Sequence, residues 1–211
     1  MLRAADALES RLLLAALLCA LATLAIGAAV ANRPPPRIDV EAGALRGVGV
    51  PAALFFTTLG RWPVVLGLGV VAAGVALALR TGLAAVGVLI AAQVLSQGAN
   101  ALIKLGFHRT RPDAWLYIHE TDLSFPSGHA VSAVVFFLGL ALLAWHAPLP
   151  RPLATVLAAV LLMCAAGIPW SRLALGAHYV TDVAGGLLLG TAFLCVALAV
   201  VLRITAAAHP A

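Results

Sequence analysis

The sequence predicts an all-α membrane protein, a polytopic bundle of six transmembrane helices with an interfacial segment between the first and the second. Three observations carry this. Hydrophobic residues make up 63% of the 211-residue chain and charged residues 10%, whereas a water-soluble globule carries about 25% charged residues. The mean hydropathy is +1.07. Six apolar stretches recur, at 12–31, 63–79, 83–103, 130–145, 153–168 and 183–202, each close to the ~20 residues with which a helix crosses about 30 Å of hydrocarbon. Six crossings and short connections fit one domain over residues 1–211, with the polar clusters confined to its 83–203 core.

Arg3 and Arg11 precede the first stretch, which closes on Ala29-Val30-Ala31 in the manner of a signal-peptidase site. Its apolar run is longer than the 7–15 residues of an ordinary signal core, so it reads as a retained helix. Asn32-Arg33-Pro34-Pro35-Pro36 then forms a stiff extended exit, because proline lacks the N–H and the freedom a helix interior needs. The mixed segment from Ile38 to Gly60 is expected along the interface as a loop or amphipathic helix. Arg80-Thr81-Gly82 and residues 146–152 read as tight turns. The fourth and fifth stretches are short, about 16 residues each, and need flanking residues to span. Trp62, Trp145 and Trp170 mark span ends, where an indole prefers the headgroup layer. Gln97 and Asn100 in the third span predict interhelical hydrogen bonds, and Gly186 and Gly190 in the sixth predict close helix packing. Cys19, Cys164 and Cys195 all lie in apolar runs and read as small hydrophobes.

The net charge of +5 does not indicate nucleic acid, because the cations are scattered at span ends with no basic helix or aromatic platform. An anionic membrane surface or substrate fits better. If six spans alternate, the loops after the third and fifth share a membrane face, and those loops hold every polar cluster. Arg3, Arg11, Arg80, Arg151 and Arg203 fall on the other face. Setting aside Lys104, Arg111 and Arg172 as ligands leaves Arg33, Arg37, Arg46, Arg61 and Arg109 on the cluster face, so the charge rule for orientation is balanced. The signal-like start places the N-terminus inside and the clusters outside, at the extracytoplasmic face of a bacterial inner membrane.

Three clusters carry chemistry. Lys104, the only lysine, closes the third span, and Arg111-Pro112 follows; the proline biases Arg111 toward extended backbone, so the chain can turn both cations to one point. Pro126-Ser127-Gly128-His129 opens the fourth span, where first-turn N–H groups and the helix dipole form an anion site. Ser171-Arg172 precedes His178 and Asp182. The latter two are four residues apart, which places them on one face of a helix entering the sixth span. A carboxylate there fixes the imidazole tautomer and leaves the other nitrogen nucleophilic. Together these residues supply what phosphoryl transfer needs without a metal or other cofactor. His108, Arg109, Asp113, Tyr117, His119, Glu120 and Asp122 read as solvated loop residues.

With Lys-x6-Arg-Pro, Pro-Ser-Gly-His and Ser-Arg-x5-His-x3-Asp all in place, the sequence resembles the type 2 phosphatidic acid phosphatase superfamily, in its integral membrane lipid phosphatase branch. Vanadium haloperoxidases share the constellation on soluble scaffolds, against which the spans argue. The resemblance implies hydrolysis of a membrane lipid phosphate or pyrophosphate in the bilayer. It implies His178 as nucleophile, His129 as acid then base, Asp182 as support, and Lys104, Arg111, Ser127, Gly128 and Arg172 as phosphate ligands. Candidate substrates are phosphatidic acid, phosphatidylglycerol phosphate and undecaprenyl pyrophosphate. A lipid phosphotransferase using the same site, and a non-enzymatic phospholipid-binding or transport protein, are the alternatives.

Overall fold

The computed structural model describes residues 2–208 except 114, 118 and 119. Its described residues are helical throughout the spans, in the order α1 (Leu2–Val30), α2 (Arg37–Glu41), a 3-10 turn (Ala42–Leu45), α3 (Val50–Leu59), α4 (Trp62–Ala78), α5 (Leu83–Phe107), α6 (Gly128–Ser132), a π segment (Ala133–Leu138), α7 (Gly139–His146), α8 (Arg151–Ala174) and α9 (Val180–Ala208). All six expected spans are present as helices, the fourth being α6, the π segment and α7 in series. Five are long and apolar enough to cross a membrane. α4, with 17 residues, sits at the short end of the range of about 17–25.

The interfacial segment is a bent pair. The helices Arg37–Leu45 and Val50–Leu59 meet at 111° through Gly47 and Gly49, both at positive φ, where a side chain would be strained. Pro36 ends the extended proline run and caps α2. The turn between α4 and α5 likewise uses left-handed backbone, at Arg80 and Gly82.

Lipid exposure explains the pattern of burial. In the α1 window only 22% of residues are buried, against 56% for Gly128–His146, which therefore forms the middle of the bundle. Its Val131, Val134 and Val135 pack with Leu89 of α5 and Leu189 of α9. Phe136 and Phe137 meet Val65 of α4 and Ile168 of α8 on the other side. α1 lies along α9, and α3 along α8. The cysteines are unpaired.

The small residues of the sixth span act as expected. A Cβ at Gly186 would overlap the Ser127 carbonyl oxygen and lie 2.8 Å from the Ala130 Cβ; one at Gly190 would lie 2.9 Å from the Val134 Cβ. The close approach of α9 to α6 thus depends on bare backbone. Gly186→Ala is expected to cost about 1–3 kcal/mol, the usual range for overpacking, read as a lowered midpoint of thermal unfolding in detergent.

Two span ends differ from expectation. α8 does not stop near Ile168 but runs through Pro169 to Ala174, so Arg172 stands in its last turn; in a bundle, neighbouring groups can satisfy the carbonyl a proline frees. His178 is not on a helix. It lies in the turn between α8 and α9, and only Asp182 is in the first turn of α9.

Candidate active site

The three clusters converge at one end of the bundle. Lys104, buried in the last turns of α5, ends at Asp122, with 3.0 Å between Nζ and Oδ2, and also donates to the Leu123 carbonyl. The helix stops at His108, whose φ of 50° turns the chain, and Arg111 comes back over the same point. Its guanidinium pairs with Asp122, reaches Glu120 Oε2 at 2.8 Å, and donates through NH1 to the Ala177 carbonyl at 3.0 Å and to His178 Nε2 at 2.9 Å. Arg172 comes from α8, is 1% exposed, and joins Glu120 Oε1 at 2.9 Å and Thr57 Oγ1 of α3. Three cations from separate elements thus share two loop carboxylates. Trp115 lies beneath the Arg111 and Arg172 guanidinium groups, 5.2 and 5.8 Å away.

His178 is positioned by a turn rather than by helical periodicity. Gly176, at φ +68°, reverses the chain, and the N–H groups of Ala177 and His178 donate back to the Arg172 carbonyl. Its Nδ1 faces Asp182 Oδ2 at 3.5 Å and Ser124 Oγ at 3.4 Å. Because a guanidinium can only donate, the Arg111 contact means that Nε2 presents its lone pair and the ring proton sits on Nδ1, toward Asp182. Burial pushes the His178 imidazole well below its ordinary value, and the Arg111, Arg172 and Lys104 charges push it further. The ring is therefore neutral at physiological pH. Burial raises the Asp122 carboxyl, but the Lys104 and Arg111 charges outweigh this and leave it below its usual value.

Ser127, Gly128 and His129 open α6 as expected, with one change. The Ser127 N–H is committed to the Asp182 carbonyl at 3.0 Å, so this residue's free donor is its hydroxyl, which is buried without a partner. The next N–H groups are first-turn donors with no intrahelical acceptor. His129 Nε2 and Arg172 Nε are also buried and unpartnered. A cavity of about 350 Å³, lined among others by Gly60, Trp62, Gln97, Gly128, His129 and Arg172, opens in front of these groups. Gly60 lies against the His129 ring, where a Cβ would stand 2.6 Å from Cδ2.

Several loop residues are not merely solvated. Arg109 is 4% exposed and lies between two buried carboxylates, with NH1 at 2.6 Å from Asp182 Oδ1 and NH2 at 2.7 Å from Asp39 Oδ2. Glu120 and Asp122 bridge the cations. Tyr117 lines the cavity, Asp113 is exposed, and His119 falls outside the described residues. Sequence reasoning missed Ser124, which donates to Asp182 Oδ2 at 2.5 Å, and also Thr57 and Asp39. The signal that could have found Asp39 is weak, because Arg37 and Glu41 flank it and make the segment look like an ordinary charged interfacial stretch. Gln97 makes the expected interhelical bonds, to the Gly128 carbonyl at 3.1 Å and Ser132 Oγ at 3.0 Å. Asn100 is buried beside Gly128, but its Oδ1 has no partner.

Comparison with known proteins identifies the family and the fold. Residues 81–206, more than half of the chain, match the PAP2 superfamily. The chain belongs to the PAP2 superfamily. Phosphatidylglycerophosphatase B of Bacillus subtilis is 38% identical over 99 residues, 43% of this chain and 45% of that protein. A protein of Escherichia coli named "Putative undecaprenyl-diphosphatase YbjG" is 44% identical over 72 residues, 34% of this chain and 32% of that protein. The chain thus spans less than half the length of these curated relatives. The crystal structure of a transmembrane PAP2-type phosphatidylglycerolphosphate phosphatase from Bacillus subtilis superposes with a TM-score of 0.66 at 24% identity, covering 93% of this chain and 96% of that one. This likeness extends the family fold beyond the matched core to α1 and the interfacial helices, so the chain is a membrane-spanning member of the superfamily.

Proposed function

We propose that this PAP2 member is a metal-independent membrane phosphatase that removes the terminal phosphate of a lipid phosphate or lipid pyrophosphate through a phosphohistidine on His178. The observation that carries this is a buried imidazole whose Nε2 lies 2.9 Å from the Arg111 guanidinium, at a site where Lys104, Arg111 and Arg172 share Glu120 and Asp122. In the first step Nε2 bonds to phosphorus, the bond to the leaving oxygen breaks, and His129 gives that oxygen a proton. In the second, His129 takes a proton from water as its oxygen attacks phosphorus; the P–N bond breaks and inorganic phosphate leaves. Asp182 retains the Nδ1 proton of His178 and offsets the positive charge the ring gains. Lys104, Arg111 and Arg172, with Ser127 Oγ and the Gly128 N–H, hold the equatorial oxygens where charge develops. Asp122 must yield Lys104 and Arg111, and Glu120 must yield Arg111, as phosphate enters, while Glu120 keeps its bond to Arg172 NH2.

The names of the two curated relatives favour phosphatidylglycerol phosphate and undecaprenyl pyrophosphate as substrates, with phosphatidic acid beside them. The cavity at Trp62, which is 71% exposed at the start of α4, supports sideways admission of an amphipathic substrate from the bilayer. The signal-like start supports a site at the extracytoplasmic face of a bacterial inner membrane. Phosphate release from a panel of these three lipids, with and without an added alcohol acceptor, tests the reading. Hydrolysis that persists in EDTA is expected, because the protein's own cations supply the charge that a metal would. Activity lost in EDTA and restored by magnesium overturns it, and transfer to the alcohol in place of phosphate release makes it a phosphotransferase.

A further inference from the structure

We propose that Asp39 and Arg109, which lie outside the three motifs, are positioning residues that hold the Asp182 carboxylate ionised and turned toward His178. This rests on the phosphohistidine reading. Asp39 (4% exposed), Arg109 (4%) and Asp182 (fully buried) form a chain of alternating charge. Arg109 NH1 donates to Asp182 Oδ1 and to Thr181 Oγ1, each at 2.6 Å, and NH2 to Asp39 Oδ2 at 2.7 Å. Asp39 is held in turn by the Thr181 N–H at 2.9 Å and the Thr181 hydroxyl at 2.7 Å. The Tyr179 ring lies 4.3 Å from the guanidinium centre. Asp182 Oδ2 accepts from Ser124 Oγ and from the Tyr179 N–H at 2.9 Å. These bonds on both oxygens fix the plane of the carboxylate, with Oδ2 3.5 Å from His178 Nδ1.

Burying three charges costs more than packing apolar groups of the same shape, so such a network is a poor way merely to hold a helix in place. Its net charge explains it better. Two carboxylates and one guanidinium carry −1, placed beside a ring that becomes positive when its Nε2 bonds to phosphorus. The network also reaches out of the bundle. α2 exposes Ile38 (58%) and Val40 (66%) while burying Asp39 between them, so an interfacial helix is fastened to the nucleophile's own support.

The charged and titratable groups around Asp182 are Asp39 from α2, Lys104 and Arg109 from α5 and its exit, and His178 and Tyr179 from the turn before α9. Two substitutions in the full-length protein therefore act with opposite electrostatic sign. Arg109→Gln leaves two carboxylates without their cation, and one takes up a proton more readily. Asp39→Asn leaves Arg109 to Asp182 alone, which favours its ionised form, but removes the outer anchor. Both variants are expected to lower kcat about 10- to 100-fold, the usual effect of a misplaced reacting group, with KM changed by less than about two-fold. The acid limb of the kcat profile moves to higher pH in Arg109→Gln and not in Asp39→Asn, and Arg109→Lys restores the wild-type limb. Unchanged kcat, or losses that track the folded fraction with no difference in pH profile, overturn the clamp. His178→Ala in the same assay separates the two ideas: its turnover would overturn the phosphohistidine reading itself, whereas an inactive His178→Ala beside unaltered clamp variants overturns the clamp alone.

Discussion

His178→Ala abolishes phosphate release and the acid-labile phosphoenzyme, an expected loss of at least about 10⁴-fold in kcat, since no other side chain can take the place of the nucleophile. The second candidate imidazole, His129, is a separate group: its ring packs against Gly60 on the first turn of α6, and the mechanism assigns it the proton transfers rather than the bond to phosphorus. The pH dependence follows from the same burial. Desolvation, with Arg111, Arg172 and Lys104 nearby, holds the His178 ring neutral well below its ordinary titration range. The acid limb of kcat/KM that reports this ring therefore lies below about pH 6.5, the value of a free imidazole. Stability changes over the adjoining window. The unfolded chain binds a proton here that the fold refuses, so this contribution is complete above about pH 6.5 and is lost as the pH falls below it. A thermal-unfolding series from pH 8 to pH 5, compared with His178→Gln, measures the difference. Equal phosphate release by His178→Ala and wild type would remove the basis of the mechanism.

The residues proposed to bind phosphate were legible because their types and spacings are dictated by chemistry, and alternation of spans already put them on one face. What the letters concealed was how each is brought in. Four-residue spacing between His178 and Asp182 suggested a shared helical face, yet Gly176 breaks the chain between α8 and α9 and the pair meets across a turn. Pro169 looked like the end of the fifth span and instead lies inside α8, which is why Arg172 comes from a rigid helix. Arg109 was hidden by its neighbour Arg111: two arginines on one loop look alike in sequence. Its distinguishing partners are 70 and 73 positions away, at Asp39 and Asp182. Glu120 and Asp122 were missed for the opposite reason, since acids near a phosphate site look out of place until the cations they neutralise are seen.

Arg172→Lys is expected to lower kcat/KM about 10²- to 10³-fold, the range for removing one preorganised donor from a developing anion, although the charge is conserved. The guanidinium works by its shape. NH1 is fixed on Thr57 Oγ1 and NH2 on Glu120 Oε1, while Nε is buried with no partner, so two donors orient the plane and the third is kept for a ligand. An ammonium on a flexible stem cannot reproduce that division. It either joins Glu120 and withdraws from phosphate, or follows the phosphate and leaves the half-buried Glu120 without its second cation. Removing the acid separates these effects: Glu120→Gln in the Arg172→Lys background frees the ammonium and should recover part of the loss if charge is what the site lacks. No recovery means that the planar fork, held in place by Thr57, is what the transition state requires. Arg172→Lys with wild-type kcat/KM would show that this arginine serves packing rather than phosphate.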